Sequence, residues 1–124
     1  MTMEAVEQFL RDAGLNACEI TEIDPFVSKI NGALRSLSIG VAEDCADYDP
    51  ADPTVANVHQ FGDRQARDAM VASLRDLRFR ALQAYGNIWV VGDFVVILLG
   101  PHRDEIQALL QAEYRRRHSK KRVP

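Results

Sequence analysis

Histidine and cysteine are the side chains best suited to proton transfer or nucleophilic attack near neutral pH. This 124-residue chain has few of them: His59, His102 and His118, and Cys18 and Cys45. Nucleophilic catalysis needs a Ser or Cys beside a base that a third group orients. The histidines are widely scattered, and no GxSxG turn is present. His59, inside VANVHQF, is the best candidate for a general base. The same residue reads more simply as a partly buried, hydrogen-bonded histidine in a strand. His102, at a helix start, reads as exposed. HExxH, the P-loop and GxGxxG are all absent, which removes the usual sequence signs of zinc hydrolysis and nucleotide binding. The expectation is no catalytic residue, no metal and no cofactor. An enzyme with His59 as base, helped by acids from residues 43–53, is the weakest reading.

Cys18 and Cys45 match no metal spacing, no CxxC and no local nucleophile signature. Two reduced thiols in a cytoplasmic protein is the simpler reading, and one disulfide in an exported protein is the alternative. Residues 43–53, EDCADYDPADP, carry five acids and two prolines. Counted from Asp47, the sixth and twelfth positions of an EF-hand loop would be Asp52 and Val58, where glycine and a bidentate Glu are needed. The stretch therefore reads as a solvated acidic loop and not as a cation site. The one strong charge feature is the end of the chain. Arg115, Arg116, Arg117, Lys120, Lys121 and Arg122 fall there, leaving nine basic against 18 acidic residues before them, a balance of −9. Such a run can neutralise phosphates of a nucleic acid or an anionic membrane. An acidic body and the lack of aromatics interleaved with the basic residues weigh against that. A frayed, mobile tail over 118–124 is the preferred reading, and docking of the tail on an acidic loop is a third.

These residues must be positioned by a core, and its strongest element is Asn87–Leu99, NIWVVGDFVVILL. Gly92-Asp93 is a two-residue hairpin loop. Pairing across it sets Val91 opposite Phe94, Val90 opposite Val95, Trp89 opposite Val96 and Ile88 opposite Ile97. One face carries Trp89, Val91, Phe94, Val96 and Leu98; the other carries Ile88, Val90, Val95 and Ile97. Both are apolar, so both need a cover. Helices on both faces, or a second copy, would serve. In a chain this short the expectation is a homodimer with Ile88, Val90, Val95 and Ile97 as its contact surface, formed sheet to sheet or along the hairpin edge.

The remaining elements follow in order. Met3, Val6, Phe9, Leu10 and Ala13 recur at helical spacing, with Gly14 as the stop. Residues 17–23 alternate weakly as a strand. Asp24-Pro25 reads as a cap and first turn, and Phe26, Val27, Ile30, Ala33, Leu34 and Leu37 follow as one apolar stripe. Leu37, Ile39 and Val41 alternate with Ser38, Gly40 and Ala42, a strand with one small face that lets another element come close. A strand at 55–61, a helix capped by Asp63, a strand at 79–85 and a last helix through Ile106, Leu109, Leu110 and Tyr114 complete the order. This is an α+β class: a mostly antiparallel sheet, with a central C-terminal hairpin at 87–99, packed against three to four helices in one domain, 1–114, followed by the basic tail.

The pattern over residues 55–112, VHQF, helix, GNIWVVGDFVVILLG, helix, resembles small uncharacterised bacterial α+β domains, some of them lipoprotein-like. The resemblance implies a fold and carries no function. No apolar run approaches the ~18 residues of a membrane span, and the N-terminus lacks a basic region before an apolar core. A cytoplasmic location is the expectation, although a mature exported domain begun by a new Met would read the same. The functional expectation is a small non-catalytic, self-associating protein-interaction module. A nucleic-acid-associated protein using the basic tail is the rival.

Overall fold

The computed structural model describes residues 3–30, 32–75 and 86–122. Among these, five strands form one antiparallel sheet: β1 Asn16–Glu22, β2 Arg35–Ala42, β3 Val55–Gln60, β4 Gly86–Val91 and β5 Phe94–Leu99. Their spatial order is β1-β2-β3-β5-β4. Four helices pack on it: α1 Met3–Asp12, α2 Pro25–Ile30, α3 Arg64–Arg75 and α4 Arg103–Arg122. The α+β class read from the sequence is the class observed.

The hairpin register is the expected one, from Val91 opposite Phe94 to Ile88 opposite Ile97. Gly92, at φ 56°, takes the first loop position. β5 lies between β3 and β4, and this explains its unbroken apolar run FVVILL. One sheet face, with Leu37, Ile39, Val58, Phe94, Val96 and Leu98, is buried under Val6, Phe9 and Leu10 of α1 and Ile106 and Leu110 of α4. On the other face, Val95 and Ile97 are buried with Val71 and Leu74 of α3. Ile88 and Val90, on the outermost strand, pack against that cluster and are half-buried.

On the face expected to need a second copy, Val95 and Ile97 are therefore covered by the chain's own α3, while Ile88 and Val90 stay half-exposed. α1 and α4 share one face, and this releases α3 for the other. Phe61 and Ala33 complete the second cluster from the loops below it. Arg67 Nη1 donates to the Gly92 carbonyl at 2.7 Å and ties α3 to the hairpin loop.

The apolar stripe from Phe26 to Leu37 does not form one helix. α2 stops at Ile30. Gly32, at φ 78°, donates its N–H to Lys29 O, and Ala33 N donates to Ser28 O. That pair of bonds is a glycine C-cap which reverses the chain, and Leu37 enters β2 opposite Val58. The same two-bond cap ends α1 at Gly14, as its sequence predicts: Gly14 N donates to Arg11 O and Leu15 N to Leu10 O. Asp63 caps α3 by accepting from Ala66 N at 2.7 Å. The strand expected at 79–85 lies outside the described residues.

Candidate functional site

α2 is six residues long, too short to hold by helix propensity in water. A helix of that size depends on burying its apolar side. In α2 the buried residue is Ser28, at 1% exposure, and its hydroxyl has no hydrogen-bond partner among the described residues. Phe26 (70% exposed), Val27 (45%) and Ile30 (69%) occupy the outward arc, and Leu34, just past the turn, is 69% exposed. The helix is inside out: a small polar group faces the protein and three large apolar groups face water. Asp24 Oδ1 accepts from Phe26 N at 2.8 Å, Ser28 N donates to Asp24 O, and the Gly32 cap closes the other end. Backbone chemistry at both ends thus holds the helix while its apolar arc stays open. Sequence reasoning put these four residues on one apolar stripe; helical spacing shows that residues share a side and not which way the side points.

Among the hairpin residues singled out as a contact surface, the structure encloses Val95 and Ile97 and leaves Ile88 and Val90 half-covered beside α3. β4 is one outer strand of the sheet and β1 is the other.

His59 meets a hydroxyl: Ser36 Oγ and His59 Nδ1 lie 2.7 Å apart across the β2–β3 pair. A serine beside a histidine has the outline of a nucleophile and base. Both side chains are buried, so the pair offers no surface to a substrate. Burial also pushes the His59 pKa below its ordinary value, because desolvation disfavours the charged ring. The acids of residues 43–53 adjoin the opposite end of these strands, where Gly40 pairs with Val55. Four residues of strand, about 13 Å, separate that end from Ser36 and His59. The structure does not bring them together.

The acidic stretch is built by turn chemistry. Asp44 Oδ1 accepts from Ala46 N and starts a 3-10 turn at Cys45–Asp47; Asp49 Oδ1 accepts from Ala51 N. Tyr48 lies on Gly40, where any Cβ would come within 2.2 Å of the phenol oxygen. This is the close approach that the small face of β2 permits. The Tyr48 hydroxyl donates to Glu19 Oε2 at 3.1 Å, and desolvation followed by that bond raises its pKa. The two thiols expected to be reduced are joined: Cys18 and Cys45 form a disulfide, with Cα atoms 5.4 Å apart. Cys18 is the extra residue of a bulge in β1 between Ala17 and Glu19. Bulges re-aim side chains, and this one presents Cys18 to the arm formed by residues 43–53. Beside the arm is a cleft of about 200 Å³, floored by Val41, Ile106 and Leu109 and edged by acids and His102. Small-molecule sites usually enclose ~300–1,000 Å³. Among the described residues, no three His, Cys, Asp or Glu side chains are grouped to hold a metal.

The basic segment continues α4 as helix through Arg122. Two of its cations are held. Glu113, buried on α4, accepts from Arg116 and, at 3.0 Å, from Arg117 Nε. Arg117 also reaches Asp12 at the end of α1, 2.6 Å away, and its guanidinium sits 4.6 Å over the Phe9 ring. His118 stacks on Tyr114, which meets Trp89 edge-on. Arg115 is exposed. For Lys120 and Lys121 the helical backbone alone is described, and for Arg122 likewise. The sequence offered a cue to this network in Glu113, spaced three and four residues from Arg116 and Arg117; the Asp12 contact, 105 residues away, had none.

No family model, curated protein or solved structure matches the chain. The resemblance of residues 55–112 to small bacterial α+β domains thus rests on their strand and helix pattern alone. No helix among the described residues is long and apolar enough to cross a membrane.

Proposed function

We propose that this chain is a small non-catalytic protein-interaction module, bacterial by the resemblance of residues 55–112, whose contact surface is the outward face of α2. The observation that carries the reading is the inside-out helix, with Phe26, Val27, Ile30 and Leu34 in water over a buried Ser28. Contiguous apolar groups on an otherwise charged surface mark interaction sites. The caps at Asp24 and Gly32 support it further, because they fix the apolar arc before a partner arrives and reduce the ordering cost of binding. The surface expected on the hairpin moves to α2, since α3 occupies much of the hairpin face. The Cys18–Cys45 disulfide supports an oxidising compartment over the cytoplasm.

A photo-crosslinking side chain in place of Phe26 tests the reading. It should give one discrete protein adduct in cells, while the same group at exposed Ser73 of α3 gives none. Absence of a discrete adduct from Phe26 would overturn the proposal. Salt-dependent binding to generic DNA or RNA, lost on deleting residues 115–124, would favour the rival nucleic-acid reading. Arg116 and Arg117 weigh against that rival, because Glu113 and Asp12 already neutralise them.

A further inference from the structure

We infer that the occupant of the α2 face is a second copy of this chain, in an isologous dimer in which the two α2 helices pack antiparallel about a two-fold axis near Ser28. The inference rests on reading α2 as the contact surface.

Self-complementarity comes first. Phe26 and Ile30 lie one turn apart on the outward arc. An axis through the middle of the helix sets each Phe26 against the other copy's Ile30, so two apolar anchors meet twice. A two-fold contact requires this kind of reciprocal pairing.

Charge is the second argument. The chain carries −3, and its first 114 residues carry −9, so most approaches of two copies meet repulsion. The charges on α2 and its cap balance one another. Glu22 and Arg35 form an ion pair at 2.8 Å, leaving Asp24 and Lys29 as the adjacent charges on α2 and its cap. An antiparallel arrangement carries the Lys29 of each copy toward the Asp24 end of the other. A partner bearing a single sign of charge would find no such match.

Area is the third. Four side chains exposed to this degree present on the order of 400 Å² of apolar surface, within the range of the largest patches on single chains. A standard interface uses ~800 Å² per partner, so the apolar centre supplies about half and the mixed-charge border must supply the rest. The expected product is a reversible dimer of micromolar affinity, not an obligate one.

The experiment is sedimentation equilibrium or light scattering of the intact, disulfide-bonded chain from low micromolar to millimolar concentration. Wild type should shift from monomer to dimer across that range. Phe26→Asp or Ile30→Asp should raise the dissociation constant ~30-fold or more, as expected for an anchor at the centre of a contact. Both residues are exposed, so the variants should keep the wild-type melting profile as monomers. Val90→Asp, on the outer strand β4, should leave the dissociation constant unchanged. Loss of the dimer through Val90→Asp and not through the α2 variants would overturn the inference and move the contact to the sheet edge. Hydroxyl-radical footprinting of the Phe26 and Ile30 side chains in the dilute protein separates the remaining failures. A monomer whose Phe26 and Ile30 side chains are readily oxidised overturns the dimer alone and leaves the face open to a different protein. A monomer whose Phe26 and Ile30 side chains resist oxidation overturns both readings, because that face would then be closed by the chain itself.

Discussion

At Glu113 two guanidiniums converge on one buried carboxylate, and the consequence is a defined acid sensitivity. The hydrogen bonds from Arg116 and then Arg117 hold its pKa down to about 2, from an ordinary 4.5. A carboxylate whose folded pKa is depressed adds stability that is complete above its unfolded pKa and is lost as pH falls toward the folded value. Thermal stability should therefore decline between pH 4.5 and about 2. Glu113→Gln should lower the melting temperature at pH 7 and flatten that acid limb. Melting temperature measured against pH checks both, and superimposable profiles for the two proteins would remove Glu113 from this role. Glu22, lowered by its bond from Arg35, acts in the same direction. His59 adds to the slope at higher pH: burial lowers its pKa below 6.5, so stability begins to fall as pH drops beneath 6.5.

Elements explain why the hairpin can be apolar on both faces. β5 is paired on both sides, with α1 and α4 packed above it and α3 below. Val95 is fully buried against α3, and Val90, its partner on β4, is half-buried at the outer strand. The same substitution should therefore have unequal effects. Val95→Asp places an unpaired charge in the core and should cost more than ~3 kcal/mol, enough to unfold a marginal domain. Val90→Asp should cost about 1 kcal/mol. Urea unfolding followed by circular dichroism reads the difference. A folded, monomeric Val95→Asp protein would mean that this face meets another chain and not α3.

For the whole molecule, the Cys18–Cys45 bond joins the outer strand β1 to the arm that leads from β2 into β3. The two cysteines are 27 residues apart. In the chain-entropy account a loop of that size should contribute about 3.5 kcal/mol. Cys18→Ala with Cys45→Ala, or reduction by a thiol, should lower stability by about that amount, measured by denaturant unfolding. If removal cost nothing, the arm would be held by Tyr48 on Gly40 and its bond to Glu19.

Neighbouring residues alone determined a good part of this architecture. The hairpin register follows from Gly92-Asp93 and the apolar runs beside it; α1 ends where Gly14 caps it; α3 begins where Asp63 accepts from Ala66. Each of these depends on atoms within one helical turn or across one two-residue loop, so short-range spacing is sufficient. The tertiary structure decided what depends on distant partners. It set α3 over Val95 and Ile97, brought Cys18 to Cys45, and brought Asp12 to Arg117 across 105 residues. It also turned Phe26 and Ile30 outward and Ser28 inward. Periodicity assigns residues to a common side of a helix, and only the sheet and loops against which the helix rests determine which side meets water.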